Sequence, residues 1–415
     1  MLTRRAAGKL LAGSTLTAAL SSTALTPAEA ADKIVKVGIN FSLTGADAES
    51  AKRIRQGAIL AIEEANAKKI IPGVKLEEWT LDDATATAGQ YDPAQAATNA
   101  RKFASDKGVV AAIGPQMSGA GKAMSPILSQ ASLAIITPSA TNPDITDPKF
   151  AAQYRPGGKP VFFRTVATDA YQGPNLANYF ANTLKVKTLY VLDDSGAFGV
   201  GIADAFEGQA KKKGILVLGR DRLDPKAADY AAILTKIKAL NPQALFYGGV
   251  GQAGVKLVKQ AYEIIPNVIK GGADGLFIPE MLTGAGFPAA DGWYATNAAP
   301  HMTDRDPGAA DFFKRYRARF NMEPEDYSIT AYAAGLVIID AIRRVAATGK
   351  PVTREAVRDA IQATKLQTPI GQVQFDANGD IMDKTIAIFQ VKKNAAKPLD
   401  SMTDQWKYIG VAPQS

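Results

Sequence analysis

From residue 34 onward the chain alternates between two hydrophobic periods. Ile34-Val35-Lys36-Val37-Gly38-Ile39-Asn40-Phe41 is a β-branched run ending in the turn-prone Ser42-Leu43-Thr44-Gly45, after which Ile54, Ala58, Ala61, Ile62 and Ala65 recur at helical spacing. The pattern predicts strand, loop, helix. It repeats with strands over 75–81, 109–113 and 133–137 and helices over 94–105 and 120–130. Strands joined by helical crossovers imply a parallel, doubly wound sheet.

A second series follows the Pro- and Gly-rich stretch from Tyr154 to Pro160, with strands over 161–166, 188–192, 215–218 and 244–247 and helices over 176–184, 203–213, 231–240 and 255–264. The fold class is therefore α/β, with two doubly wound parallel-sheet lobes. A strand over 293–296 precedes helices over 309–320, 327–347 and 353–363. Helices that come after the second lobe has closed imply that the chain crosses back to the first, which makes the hinge several strands wide. The expected division is 1–30 as a signal peptide, 31–167 with 299–367 as the N-terminal lobe, and 168–298 with 368–415 as the C-terminal lobe.

The first thirty residues differ from the rest. Met1-Leu2-Thr3-Arg4-Arg5, a weakly apolar stretch over 10–25 and Ala28-Glu29-Ala30 have the three-part layout of a secretory signal, and Arg4-Arg5 fits the twin-arginine route as well as the general one. An exported chain of periplasmic location follows. Its 415 residues contain no cysteine, which excludes disulfides and thiolate chemistry. The net charge of +8 falls to about +6 without the leader. Lys and Arg are interleaved with Asp and Glu throughout, so nucleic-acid binding is not expected.

In open parallel sheets ligands sit beyond the carboxyl ends of strands. Two such loops hold hydroxyls. Gly114-Pro115-Gln116-Met117-Ser118-Gly119-Ala120-Gly121 would offer Ser118 Oγ and helix amides to an anion, and Pro138-Ser139-Ala140-Thr141-Asn142 follows the next strand; either loop alone also reads as ordinary capping and turn chemistry. Gly249-Val250-Gly251-Gln252-Ala253-Gly254 follows a strand and opens a helix, with Asp274 twenty residues beyond, so it satisfies the dinucleotide fingerprint. The alternative function this raises is an exported nicotinamide-dependent oxidoreductase using Gly249 to Gly254. Against it, the motif lies near the end of its lobe and no catalytic set accompanies it. His301 is the sole histidine, and no Gly-x-Ser-x-Gly elbow exists for a hydrolase triad. Asp376-Ala377-Asn378-Gly379-Asp380 lacks the closing glutamate of a calcium loop and reads as an Asn-Gly hairpin turn. Asp82-Asp83, without a third ligand, reads as a helix-capping and hinge element. No catalytic residue, cofactor or metal is expected.

Several of these segments, in order, carry a resemblance that spans nearly all of the chain after the leader. Val37-Gly38-Ile39 leading to Leu43-Thr44-Gly45, Asp82-Asp83-Ala84, Ile113-Gly114-Pro115, Ile136-Thr137-Pro138-Ser139-Ala140-Thr141-Asn142-Pro143, Phe163-Arg164-Thr165 with Asp169 and Gln172-Gly173, and Phe246-Tyr247-Gly248-Gly249 resemble the leucine-isoleucine-valine-binding protein family. Those are type I periplasmic binding proteins of branched-chain amino-acid ABC transporters. The resemblance implies a small amino-acid-like ligand, an inner-membrane ABC permease as partner and a monomeric receptor. It implies that Ser118, Gly119 and Thr141, with the backbone around Ser139 and Ala140, hold the ligand carboxylate, that Asp274 receives the ammonium, and that Phe198 and Val250 face the ligand from the second lobe. The chain departs from the family at Val250 and Ser50, where aromatic residues are frequent, and at Thr85 and Met117, where the family disulfide would lie.

Overall fold

The computed structural model describes residues 32–303 and 305–414, so the leader expectation lies outside the described residues. Val35, Val37, Ile39 and Phe41 are buried at alternating positions of the strand Lys33–Phe41, where a two-residue period turns every second side chain toward a covering helix. Around this strand a five-stranded parallel sheet forms in the order Val74–Asp82, Lys33–Phe41, Val109–Ile113, Ala134–Thr137, Phe162–Arg164. Phe162–Arg164 is thus the edge of the first sheet, although the sequence pattern attaches it to the second series.

The second sheet has seven strands in the order Trp406–Val411, Ala387–Val391, Tyr294–Asn297, Ile269–Gly272, Ala244–Gly248, Thr188–Asp193, Leu216–Arg222. Five of them, from Tyr294–Asn297 to Leu216–Arg222, run parallel, but Ala387–Val391 and Trp406–Val411 add on antiparallel. The lobe is therefore mixed at one edge. In its core Phe206 stacks on Phe246 at 3.9 Å and 5°.

The late helices return to the first lobe. The helix Asp326–Ala346 lies against Ala48–Ala67 so closely that a Cβ on Gly57 would sit 2.0 Å from the Ser328 carbonyl oxygen. Arg354, opening the helix Arg354–Gln362, donates to the carbonyls of Val109, Ala104, Phe103 and Asp106 at 2.6–2.9 Å, and so closes the end of the helix Pro93–Ser105. Three segments connect the lobes, near residues 165–168, 298–303 and 381–386, and the first two are joined by Ala167 N–H donating to Ala298 O at 2.7 Å. Arg164, fully buried beside them, donates to Asp380 at 2.7 Å. Asp380 closes the turn that starts at Asp376, with Gly379 at φ +100°, so this segment is a turn between Phe375 and Ile381, which bridge antiparallel.

Candidate ligand-binding cleft

The first lobe's wall is built where two adjacent parallel strands end. The helix Ser118–Gln130 begins without a side-chain cap, and its first in-helix bond is Gly121 N–H to Met117 O, so the amides from Ser118 to Ala120 precede the helical ladder. Ser118 Oγ accepts the Asn142 amide at 3.2 Å and keeps its own proton for another acceptor. In the neighbouring loop, Thr137 Oγ1 accepts the amides of Ser139 at 3.2 Å and Ala140 at 2.8 Å while donating to Pro115 O at 2.7 Å. Those two amides thus stabilise the turn itself, a difference from the expectation that they face an anion. The loop's outward carbonyls, Ala140 O and Asn142 O, accept from Arg164 at 2.5 and 2.7 Å.

The second lobe contributes Asp274, which opens a single turn just past the strand Ile269–Gly272. Its Oδ2 accepts the Tyr327 hydroxyl at 2.7 Å, and its Oδ1 accepts from the Gln172 side-chain amide. Burial raises the Asp274 carboxyl to about 6, with the two hydrogen bonds opposing the rise. Asp169, buried beside Thr141, is raised well above the usual carboxylate range by burial and then by the Asp274 charge. Burial and the repulsion between the two carboxylates thus favour the protonated form of Asp169 beside Asp274.

The two walls meet in a small cavity between the lobes. Ser118, Ser139, Phe198, Val250 and Asp274 line it, whereas Gly119, Ala140 and Thr141 lie behind its surface: Gly119 faces the Tyr91 ring, and Thr141 is fully buried. Asp47, Gln116, Ile278 and Tyr327 line it too and were not identified from the sequence, and Ser50 appears there as a hydroxyl. Tyr327 could have been found as a hydroxyl-bearing ring at the start of a long apolar helix, but its pairing with Asp274 is tertiary. Contacts between the lobes close the cleft. The Asn142 side chain donates to Ala197 O at 2.8 Å, and the Glu49 and Ser50 amides donate to Glu280 at 3.1 and 3.2 Å.

The glycine-rich turn at Gly249–Gly254 has a different environment from the one a dinucleotide needs. Asp194 accepts the amides of Val250 and Gly196, both at 2.9 Å, and Gly251 faces the Asp47 carboxylate from the other lobe. Burial raises Asp47 to about 7 and Asp194 to about 6. A pyrophosphate would meet two carboxylates there. The Asp82-Asp83 pair likewise takes a different role from helix capping or hinge. Asp82 accepts the Leu43 and Ala84 amides at 2.9 Å, Asp83 accepts from Asn40 and Ser42 at 2.6 and 2.7 Å, and the cap of Pro93–Ser105 is Asp92. Together Asp82 and Asp83 pin the loop after the first strand. His301 sits on a crossover segment, with Nδ1 3.1 Å from Asp326 and its ring against Phe389 and Tyr408.

A family model described as periplasmic binding protein matches residues 34–396. A Leu/Ile/Val-binding protein of Rhizobium johnstonii is 31% identical over 379 residues, covering 91% of this chain and 96% of the relative. Among solved structures, a branched-chain amino acid transporter substrate-binding protein from Streptococcus pneumoniae, in complex with isoleucine, superposes with a TM-score of 0.75 at 24% identity, covering 91% of this chain and all of that one. An ABC transporter solute-binding protein from R. palustris, in complex with benzoate, also gives 0.75, at 19% identity, over 92% of this chain and 98% of that one.

Proposed function

The chain belongs to the periplasmic binding protein family, whose members are ABC-transporter substrate-binding proteins and not enzymes, and on that premise we propose that its cleft captures an α-amino acid. The observation that carries this reading is the opposition, across one cavity, of the Ser118 hydroxyl and its helix amides to the Asp274 carboxylate. The first wall suits a carboxylate without any basic side chain. The second suits an ammonium, because a buried carboxylate raised to about 6 gains most from a charged partner. Isoleucine in the streptococcal protein carries both groups, whereas benzoate in the R. palustris protein carries only the first, and Asp274 favours the former.

In this reading the lobes divide near 167, near 298 and within 381–386, and they close on the ligand as two bodies. The last crossing falls later than the 367 expected from the sequence because Phe375 and Asp380 still pack on the first lobe. The residues that hold the ligand are Ser118, Gly119, Ser139, Ala140, Thr141, Phe198, Val250 and Asp274, with Gly119, Ala140 and Thr141 supporting the wall from behind. The leader directs export by either secretory route, and the receptor delivers its ligand to the permease as a monomer. Replacing Asp274 with Asn keeps the shape and removes the charge. Calorimetric affinity for an amino acid found by thermal-shift screening should then fall by about 3–5 kcal/mol. Unchanged affinity would remove the ammonium from Asp274 and leave a receptor for plain carboxylates.

A further inference from the structure

Resting on the amino-acid reading, we infer that the cleft has a second polar end, formed by Asp47 and Gln116, which selects a ligand whose side chain terminates in a cationic N–H group. Asp47 lies in the loop after the first strand, is only 1% exposed, and lines the same cavity as Ser118 and Asp274. Its Oδ2 has no hydrogen-bond partner among the described residues. Gln116, 7% exposed and also on the cavity wall, is turned so that its amide nitrogen donates to Ser50 Oγ at 3.4 Å, while its Oε1 is without a partner as well. Each of these two cavity-lining side chains therefore carries one buried oxygen with nothing to accept from, although the Asp47 carboxylate also meets the Gly251 amide.

This end is distinct from the ammonium anchor. The charged neighbours of Asp47 are Glu280, Asp194 and Asp83, whereas the charged neighbour of Asp274 is Asp169. Met117, Phe198, Val250 and Ile278 also line the cavity and would pack against a short methylene stem. Among the described residues lining the cavity none is Lys, Arg or His, so a cationic ligand would supply the counter-charge that Asp47 does not receive from the cavity wall. An aliphatic side chain such as leucine's would leave both acceptors buried and unmet, which is the kind of mismatch that sites built from polar groups reject most strongly. Ser50 and Val250 fit the same picture, because they leave room for a chain end that an aromatic residue at either position would occupy.

The test compares ornithine with norvaline, which has the same carbon chain without the terminal ammonium, together with leucine. Isothermal titration of the mature protein should give ornithine an affinity at least about tenfold above norvaline's. In Asp47→Asn and in Gln116→Met the ornithine-to-norvaline ratio should fall toward one, with continued norvaline binding showing that each variant is folded. A ratio of one in the parent protein, or one unaltered by Asp47→Asn, overturns this inference while leaving the amino-acid receptor in place. If none of the three amino acids binds at millimolar concentration, the amino-acid reading itself falls, and this inference falls with it.

Discussion

The helix beginning at Ser118 and the helix beginning at Gly251 both follow a parallel strand through a glycine-rich turn, and neither carries a side-chain cap. In sequence each looks like an anion site. In the folded chain their surroundings differ. The turn at Ser118 meets the Asn142 amide and the hydroxyl-rich loop at Ser139, whereas the turn at Gly251 meets Asp194 from its own lobe and Asp47 from the other. On the proposed reading the positive end of the first helix serves a ligand anion, whereas that of the second holds two buried carboxylates. What a strand-to-helix turn binds is therefore decided by residues that arrive from elsewhere in the chain.

The largest expected consequence is a dependence of stability on pH. Asp47 and Asp194 ionise near the usual 3.8 in the unfolded chain but at about 7 and about 6 when folded, so between these values the folded state holds more protons. Stability must then fall as pH rises from about 4 to about 7 and level off above it, by on the order of 7 kcal/mol for the two together. His301 adds to the same direction, since burial lowers its basicity but the bond to Asp326 outweighs this, and that stabilisation is lost as pH rises through its folded value. Chemical unfolding at a series of pH values measures the slope, and an Asp47→Asn, Asp194→Asn double variant should reduce it, leaving the share of other buried carboxyls such as Asp83 and Asp274. Stability that rises over this interval would contradict the assignment of buried carboxylates to the Gly251 turn.

A smaller effect probes the other turn. Ser118→Ala combined with Thr141→Ala removes the hydroxyl proposed to face the ligand anion and the buried one that supports that wall from behind. Affinity should drop by about 2–4 kcal/mol with the fold retained, as read by calorimetry beside a thermal melt. A loss under about half a kcal/mol would mean that the helix amides alone bind the anion.

The parts of the fold that were legible in sequence are those whose neighbours are local. Every residue of Val109–Ile113 is buried, so a plain apolar run sufficed to find it. Trp406–Val411 is an antiparallel edge strand with most of its residues exposed, and its mixed pattern carries no clear period. The run at 161–166 was legible as a strand, but its pairing with Ala134–Thr137 was hidden by the Pro- and Gly-rich segment that separates them. In the cleft, Ser118 and Asp274 stood out because each follows a strand end. Tyr327 lies 53 residues from its partner Asp274, and the significance of Asp47 comes from Gly251 in the opposite lobe; neither relation has a sequence signal.

On the proposed reading the two walls divide one ligand, with its carboxylate on the Ser118 side and its ammonium on Asp274. The most direct measurement is calorimetric titration of the unaltered mature protein with one amino acid, with its carboxamide and with its deaminated acid. Each analogue, lacking one of the two groups, should bind at least about a hundredfold more weakly than the amino acid. Equal binding of the carboxamide would contradict the role of the Ser118 wall, and equal binding of the deaminated acid would contradict that of Asp274.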